Sequence, residues 1–290
     1  MAVGLASRRV DRYAHLDFDP AAVEVRHAAT VMLIDDRPDL HVLMLKRTAK
    51  VVFASANWVF PGGRVDPDDH AADFDRVTHG LTDAEASHML EVPSSGLAWW
   101  LAACRETLEE CGILLAADFT GEMTLSPDDI LALRHRVQID EGAFIDELID
   151  QGIAIDATAV EEVARFITPL GPPRRFDARF FVARSPTGQT PRHDDSEIVD
   201  WEWVRPAEAL DRWRAGEFEM MSPTVRMVEC LGRYASADEV MDLARQRHPY
   251  RRVRVIDPDG EYRVVLPGED GYETAELEVE SGWVRLWEAD

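Results

Sequence analysis

Cysteine is scarce: Cys104, Cys111 and Cys230 are the only three in 290 residues, and the first two lie seven apart on a predicted helix. An odd, sparse set gives no disulfide framework, so reduced thiols and a cytoplasmic compartment are expected. Long apolar runs are missing as well. No stretch approaches the span of a membrane helix, and the opening MAVGLASRRVDRYAHLDF has no apolar core of a signal peptide, so no membrane partner is expected. Positive charge is in short supply, with 31 Lys and Arg against 55 Asp and Glu and a net charge of −24. Such a chain repels DNA, RNA and anionic lipid at long range, which argues against a nucleic-acid partner. An anionic ligand would have to be held by metal or by local arginines. The histidines at 27, 70, 79, 88, 135 and 193 show no zinc-site spacing, and Cys104 and Cys111 fall on an apolar face. A G-x-S-x-G elbow, a P-loop, a dinucleotide-binding glycine fingerprint, internal repeats and low-complexity tracts are all absent.

What is present is a chain that is 46% hydrophobic, enough for a sizeable core. Residues 27–34 and 41–45 are short apolar runs about the turn-forming Asp35-Asp36-Arg37-Pro38-Asp39, and predict a strand pair. Residues 70–96 are polar and mixed and read as an insertion, with Thr82 and Glu85 spaced as a capping box and Pro93-Ser94-Ser95-Gly96 as a break. A strong helix runs from Leu97 to Cys111 and stops at Gly112. Ser126-Pro127 opens a long helical segment broken near Asp140 to Gly142 and ending about Gly152. A short helix is expected near 158–164, strands at 176–184 and 198–204, and helices starting near Pro206 and at Ser222-Pro223. Beyond His248, RVRVI and YRVVL around Asp257-Pro258-Asp259-Gly260 predict a hairpin, followed by strand-like residues 274–279 and 283–287. The domains expected are an N-terminal extension over 1–24, a principal domain over 25–235 and a C-terminal helix and β appendage over 236–290.

The helix at 97–111 carries the chemistry. At about 100° per residue, Leu97, Leu101, Cys104, Leu108 and Cys111 share one face, and Glu106, Glu109 and Glu110 gather on the other. Carboxylates three and four apart repel one another and destabilise an isolated helix. A hard divalent cation resolves that conflict, because Mg²⁺ takes oxygen ligands from a few carboxylates. A solvated acidic face is the alternative for an isolated ExxEE. Its context decides: Gly63 closes Phe60-Pro61-Gly62-Gly63, Asp69 follows six residues later, and Arg105-Glu106-x-x-Glu109-Glu110-x-Gly112 lies on the helix.

In these residues the chain resembles the Nudix hydrolases, whose box runs from a glycine through five residues to a Glu, then seven residues to Arg-Glu-hydrophobic-x-Glu-Glu-x-Gly-hydrophobic. The second half is present through Ile113, with Thr107 at a usually more apolar position. Asp69 stands in place of the first Glu, and 35 residues separate it from Arg105. Loop closure costs little extra for such an insertion, so the halves can still meet. The enlarged box resembles the acyl-CoA-cleaving branch. The resemblance implies an α+β fold, a mixed sheet sandwiched between helices, and Mg²⁺ or alternatively Mn²⁺ held by Glu106, Glu109, Glu110 and the Gly62 carbonyl. It also implies that Arg105 fixes a carboxylate by a bidentate ion pair, and that metal polarises phosphoryl oxygens and activates water for attack on an anhydride. Glu106 or Glu197 would be the base, with Asp194 and Asp195 beside the latter.

Arg47 and Thr48 match the spacing before FPGG of a signature of coenzyme A diphosphatases, although Val52 and Ala56 stand where that signature has Arg and Gly. Arg174, Arg175 and Arg179, in Pro173-Arg-Arg-Phe-Asp-x-Arg-Phe-Phe, match a run of the same branch and would hold substrate phosphates. The leading expectation is hydrolysis of CoA or acyl-CoA to 3′,5′-ADP and a 4′-phosphopantetheine product. Other small-molecule diphosphates (ADP-ribose, NADH, nucleotide sugars) and a nucleotide sensor without turnover are the rivals. A homodimer is left open.

Overall fold

The computed structural model describes residues 16–49, 56–70, 74–118, 120–140, 143–193, 196–256, 262–275 and 282–287. The expectations concerning Val52, Glu141 and Gly142 at the helix break, Asp194, Asp195, the turn at 257–260 and strand residues 276–279 lie outside them.

Strands β1 (Val25–Asp36) and β2 (Leu40–Arg47) form the expected antiparallel pair, with Ile34 opposite Val42. Two short strands follow, β3 (Trp58–Val59) and β4 (Gly62–Arg64), and β4 runs antiparallel along β1 so that Gly63 faces Ala29 and Gly62 faces Thr30. The insertion holds β5 (Thr78–His79) and α1 (Asp83–Leu90), then the chain enters α2 (Ala98–Cys111). Helices α3 (Pro127–Ile139) and α4 (Ala143–Gln151) come next, then β6 (Ile155–Asp156), β7 (Val160–Ile167), β8 (Arg175–Arg184) and β9 (Ile198–Val204). The chain continues through α5 (Pro206–Arg214), α6 (Ser222–Leu231) and α7 (Ala237–Gln246) to β10 (Arg251–Arg252), β11 (Arg254–Ile256), β12 (Arg263–Val265) and β13 (Trp283–Val284).

The principal sheet has the order β10-β13-β7-β8-β1-β2-β3, with β4 also on β1 and β9 also on β2. β1 and β8 run parallel and the other named pairs antiparallel. The sheet is therefore mixed, as expected for this α+β fold. One face packs on α2 and the insertion, burying Val31, Leu33, Leu43 and Leu45 against Trp100, Cys104 and Leu108. The other packs on α5, α6 and α7, burying Met32, Ile34 and Met44 against Leu210, Met227 and Val240. Alternation along β1 and β2 feeds the two layers in turn.

Two sequence expectations are corrected. Residues 158–164 are not a helix: a single turn at Ala157–Ala159 passes into β7, whose pairing with β8 and β13 overrides the helical preference of its Glu, Ala and Arg residues. Ser222 lies inside α6, not before it; Met221 is the cap residue, and the Ser222 hydroxyl accepts a hydrogen bond from Val264 N–H at 2.7 Å. The C-terminal β appendage packs onto the principal sheet and its second core layer. β13 pairs with β7, and Val253, Val255, Val264 and Leu286 belong to the second core layer.

The insertion is tied back at both ends. Its capping box forms as expected, Thr82 accepting from Glu85 N–H. β5 lies parallel to β6, and Asp83 accepts from the backbone N–H groups of Ser95 and Leu97 at 2.9 and 3.1 Å, closing the loop where α2 begins. These contacts return the chain to the start of the helix that carries the carboxylates. Among the described residues, no helix is long and apolar enough to cross a membrane.

Candidate active site

The second half of the box lies on α2, and its packing follows from the sequence. Cys104, Leu108 and Cys111 are fully buried on the sheet side. Thr107 sits among them because its hydroxyl donates to Ala103 C=O within the helix, at 2.7 Å, which satisfies the polar group without solvent. Gly112 takes the left-handed conformation, φ 69°, and donates its N–H to Leu108 C=O, ending the helix.

Arg105 organises the opposite side. It is 2% exposed, and its guanidinium forks onto Asp69, Nε to Oδ1 at 2.9 Å and Nη2 to Oδ2 at 3.0 Å. It also donates to Glu106 at 3.1 Å, Glu109 at 3.3 Å, the Arg64 carbonyl at 3.0 Å and Asp66 at 3.4 Å. Against the cost of burial, the Asp69 hydrogen bond and the charges of Glu106, Asp69 and Glu109 hold this guanidinium above its usual range. Asp69 thus closes the 35-residue gap: the bidentate pair joins the two halves of the motif in space. Asp66 completes the same turn, its backbone N–H donating to Asp69 at 2.8 Å.

Glycine is required where β4 meets α2. A Cβ on Gly63 would run into the Glu106 carboxylate, so this backbone must be bare for the helix to come so close. Beside it, Gly62 N–H donates to Glu110 at 2.9 Å. The sheet edge is thereby laid against two of the three glutamates.

Burial is the first cause that pushes Glu106 up to about 7; the charge of Glu109 adds to it against the pull of Arg105. Glu110 lies well above the usual carboxylate range, again through burial first and the charge of Glu106 next, opposed by Arg47 and the Gly62 N–H. The three glutamates and the Gly62 peptide offer an all-oxygen donor set in which negative charge is crowded and poorly solvated, which suits a hard divalent cation. Among the described residues no three acidic, His or Cys side chains are arranged as a metal site. Their oxygens turn instead to Arg105, Gly62 N–H and Arg47.

Arg47 and Glu197, 150 residues apart in sequence, meet here. Arg47 donates to Glu197 at 2.9 Å and lies 3.5 Å from Glu110, so it bridges the nest to an outer carboxylate that is 57% exposed. Thr48 N–H donates to the Glu197 carbonyl, fixing the two segments together. The other arginines expected to hold substrate are placed elsewhere. Arg174 is exposed, Arg175 is buried and donates to the Thr168 carbonyl, and Arg179 is buried on Glu162 and the Leu90 carbonyl. Of the four, Arg47 is the one that stands at the carboxylates.

Sequence reasoning overlooked Arg134. Buried on α3, it donates to the carbonyls of Glu109 and Glu110 at the end of α2 and to the Arg192 carbonyl at 2.8 Å. It satisfies carbonyls the helix end leaves open. No spacing motif marks it; an arginine on the apolar side of a helix, among Ile130, Leu133 and Val137, is the available signal.

The model of the NUDT19 Nudix domain family matches residues 81–231, from the insertion through the carboxylate helix to α6. This chain belongs to the NUDT19 Nudix family. As a family member it is a Nudix hydrolase, a class that generally uses divalent metals. It is 25% identical to the acyl-coenzyme A diphosphatase NUDT19 of Gallus gallus over 85% of this chain and 79% of that protein. It is 30% identical to putative nudix hydrolase 7 of Caenorhabditis elegans over 69% of this chain and 58% of that protein. A crystal structure of a Nudix hydrolase from Alicyclobacillus acidocaldarius covers 76% of this chain and 97% of its own length, with 28% identity and a TM-score of 0.63.

Proposed function

We propose that this Nudix hydrolase cleaves the phosphoanhydride of CoA or acyl-CoA with Mg²⁺, giving 3′,5′-ADP and (acyl-)4′-phosphopantetheine. The observation that carries the reading is the nest of Glu106, Glu109 and Glu110 about buried Arg105, with Arg47 and Glu197 at its mouth. The likeness to the acyl-coenzyme A diphosphatase of Gallus gallus and the spacing of Arg47 before FPGG support the substrate.

Glu106, Glu109, Glu110 and the Gly62 carbonyl would hold the cation. When bound, it supplies Lewis-acid polarisation of the phosphoryl oxygens and a lowered pKa for water. The residues of the chain do the rest. Asp69 holds Arg105, and Arg105 fixes the orientation of Glu106 and Glu109. Arg47 holds Glu110 and Glu197 while offering a guanidinium toward the phosphates. Water adds to one phosphorus, the bridging P–O bond breaks, and the departing phosphate carries the bridging oxygen. Glu106 or Glu197 takes the water proton as general base.

The test is to incubate the full chain, with Mg²⁺ and then with EDTA, with CoA, acyl-CoA, ADP-ribose, NADH and nucleotide sugars, and to identify products by mass. Metal-dependent release of 3′,5′-ADP from the CoA compounds is expected. Turnover confined to another panel member would remove CoA and keep the Nudix chemistry. Binding without turnover would favour the sensor.

A further inference from the structure

At the edge of the sheet, a cavity of about 420 Å³ opens between the C-terminal end of α1 and the C-terminal segment, with Ser87, His88, Arg247 and Arg285 among its lining residues. It is a different place from the carboxylate nest, which is built from residues 47, 62–69, 105–110 and 197. Two guanidiniums from separate parts of the chain converge on one hollow here, in a protein whose net charge is −24.

Charge is unbalanced beneath the cavity. Glu162 on β7 is fully buried, and the guanidiniums of Arg179, Arg247 and Arg285 all act on it. Arg179 takes one of its oxygens at 2.8 Å. Arg247 lies 3.6 Å from the other, beyond hydrogen-bond range, and that Oε2 has no hydrogen-bond partner. Asp177 also lies 3.9 Å from Arg179, Glu161 acts on Arg247 and Glu91 on Arg285, so among the described residues Glu162 is the one carboxylate that all three cations share.

Hydrogen-bond capacity is unbalanced in the same direction. Arg247 Nη1 and Arg285 Nε are buried N–H groups without an acceptor. Burial first, and the neighbouring Arg247 next, draw Arg285 below its ordinary range, the reverse of what Arg105 experiences among carboxylates. The arrangement is held in place: Arg285 donates to the His248 carbonyl at 3.0 Å, and Arg247 occupies the left-handed conformation, φ 46°, at the end of α7. Buried donors left without acceptors are costly, and a site keeps such groups where a ligand supplies the missing partner.

We propose that this cavity is an anion site for a phosphate group, free or on a phosphomonoester, gripped by Arg247 and Arg285. A tetrahedral oxyanion offers acceptors to both guanidiniums and the negative charge that Glu162 alone does not provide.

The test is equilibrium dialysis of the full chain against labelled inorganic phosphate at constant ionic strength in EDTA, where the nest of glutamates repels anions. One phosphate per chain is expected. Arg247→Gln and Arg285→Gln should each weaken it by at least about ten-fold, since each removes hydrogen bonds to a charged group. Glu109→Gln with Glu110→Gln should leave it unchanged. Because an arginine variant could misfold, a second measurement uses the unaltered chain: phosphate should protect Arg247 and Arg285 from an arginine-selective dicarbonyl reagent, mapped by mass. Glycerol 3-phosphate competing more strongly than inorganic phosphate identifies an ester as the ligand, and the reverse order identifies free phosphate; either sustains the site. Absence of phosphate binding in EDTA, binding that persists with both arginines replaced, or modification of Arg247 and Arg285 that phosphate does not slow, would overturn it.

Discussion

In the C-terminal half of α2 one guanidinium, Arg105, faces four carboxylates, those of Asp66, Asp69, Glu106 and Glu109. At the sheet edge one carboxylate, Glu162, faces three guanidiniums. Both regions take charge out of water, and neither balances it from within. The difference in sign divides the chemistry proposed for them: the first would take a cation through which anhydride phosphates are held, the second an anion directly. It also shows why the net charge of the chain says little about a local site. The overall excess of acid predicts repulsion of phosphate everywhere, yet a few buried arginines reverse the field over a short distance, where screening by solvent is weak.

The largest expected effect lies in the acidic region. Glu109→Gln combined with Glu110→Gln should lower Mg²⁺-dependent hydrolysis by about 10³-fold or more, because metal assistance amounts to several kcal/mol of transition-state stabilisation. Initial-rate assays on the folded variant check this; an unchanged rate would break the catalytic half of the comparison.

Removing the lone partner should then cost more than removing one of several. Glu162→Gln is expected to destabilise the fold by about 3–5 kcal/mol, since it leaves buried guanidiniums without their carboxylate. Asp69→Asn should cost about 1–3 kcal/mol, because Arg105 keeps Asp66, Glu106 and Glu109. Denaturant unfolding of both variants gives the order, and the reverse order would contradict the charge imbalance described here.

A smaller effect is expected at Gly63. Gly63→Ala pushes a methyl group into Glu106, so divalent-cation affinity should fall by about 10-fold, in the range seen when a ligand's support is disturbed. Calorimetric titration of metal into both proteins measures it.

The smallest is a slope with pH. Glu106 and Glu110 have folded-state pKa values above the ordinary 4.5, so the folded chain binds their protons more tightly than the unfolded chain. Their contribution to stability is present below about 4.5 and is lost as pH rises through the raised folded-state values, about 7 for Glu106. Without metal, Tm should decline across that window, and Mg²⁺ should flatten the decline by taking the place of the protons. Thermal unfolding at several pH values, with EDTA and with Mg²⁺, checks both halves.

Much of this was legible because it is local. The 97–111 helix showed in the spacing of Leu97, Leu101, Cys104 and Leu108, its end in Gly112, and its acidic face in three crowded glutamates. β1, β2, β8 and β9 showed as apolar or aromatic runs. What was hidden depends on distant partners. The pairing of Arg47 with Glu197 crosses 150 residues, and neither neighbourhood names the other. Residues 158–164 resembled a helix because a bulge between Glu162 and Ala164 breaks the two-residue alternation of a strand and Glu162 is buried. β13 is only two residues long, too short to announce that the C-terminal segment completes the sheet. Arg175 and Arg179 stood in a basic run suggestive of phosphate binding, but alternation along β8 turns both inward.

The central claim is that the crowded glutamates of α2 form the cation site of this hydrolase, and Mn²⁺ titration followed by electron paramagnetic resonance tests it most directly. The unaltered chain should bind Mn²⁺ more tightly at pH 8 than at pH 6, and Glu109→Gln with Glu110→Gln, folded by circular dichroism, should lose that binding. Equal Mn²⁺ affinity in the variant and the unaltered chain would contradict the account.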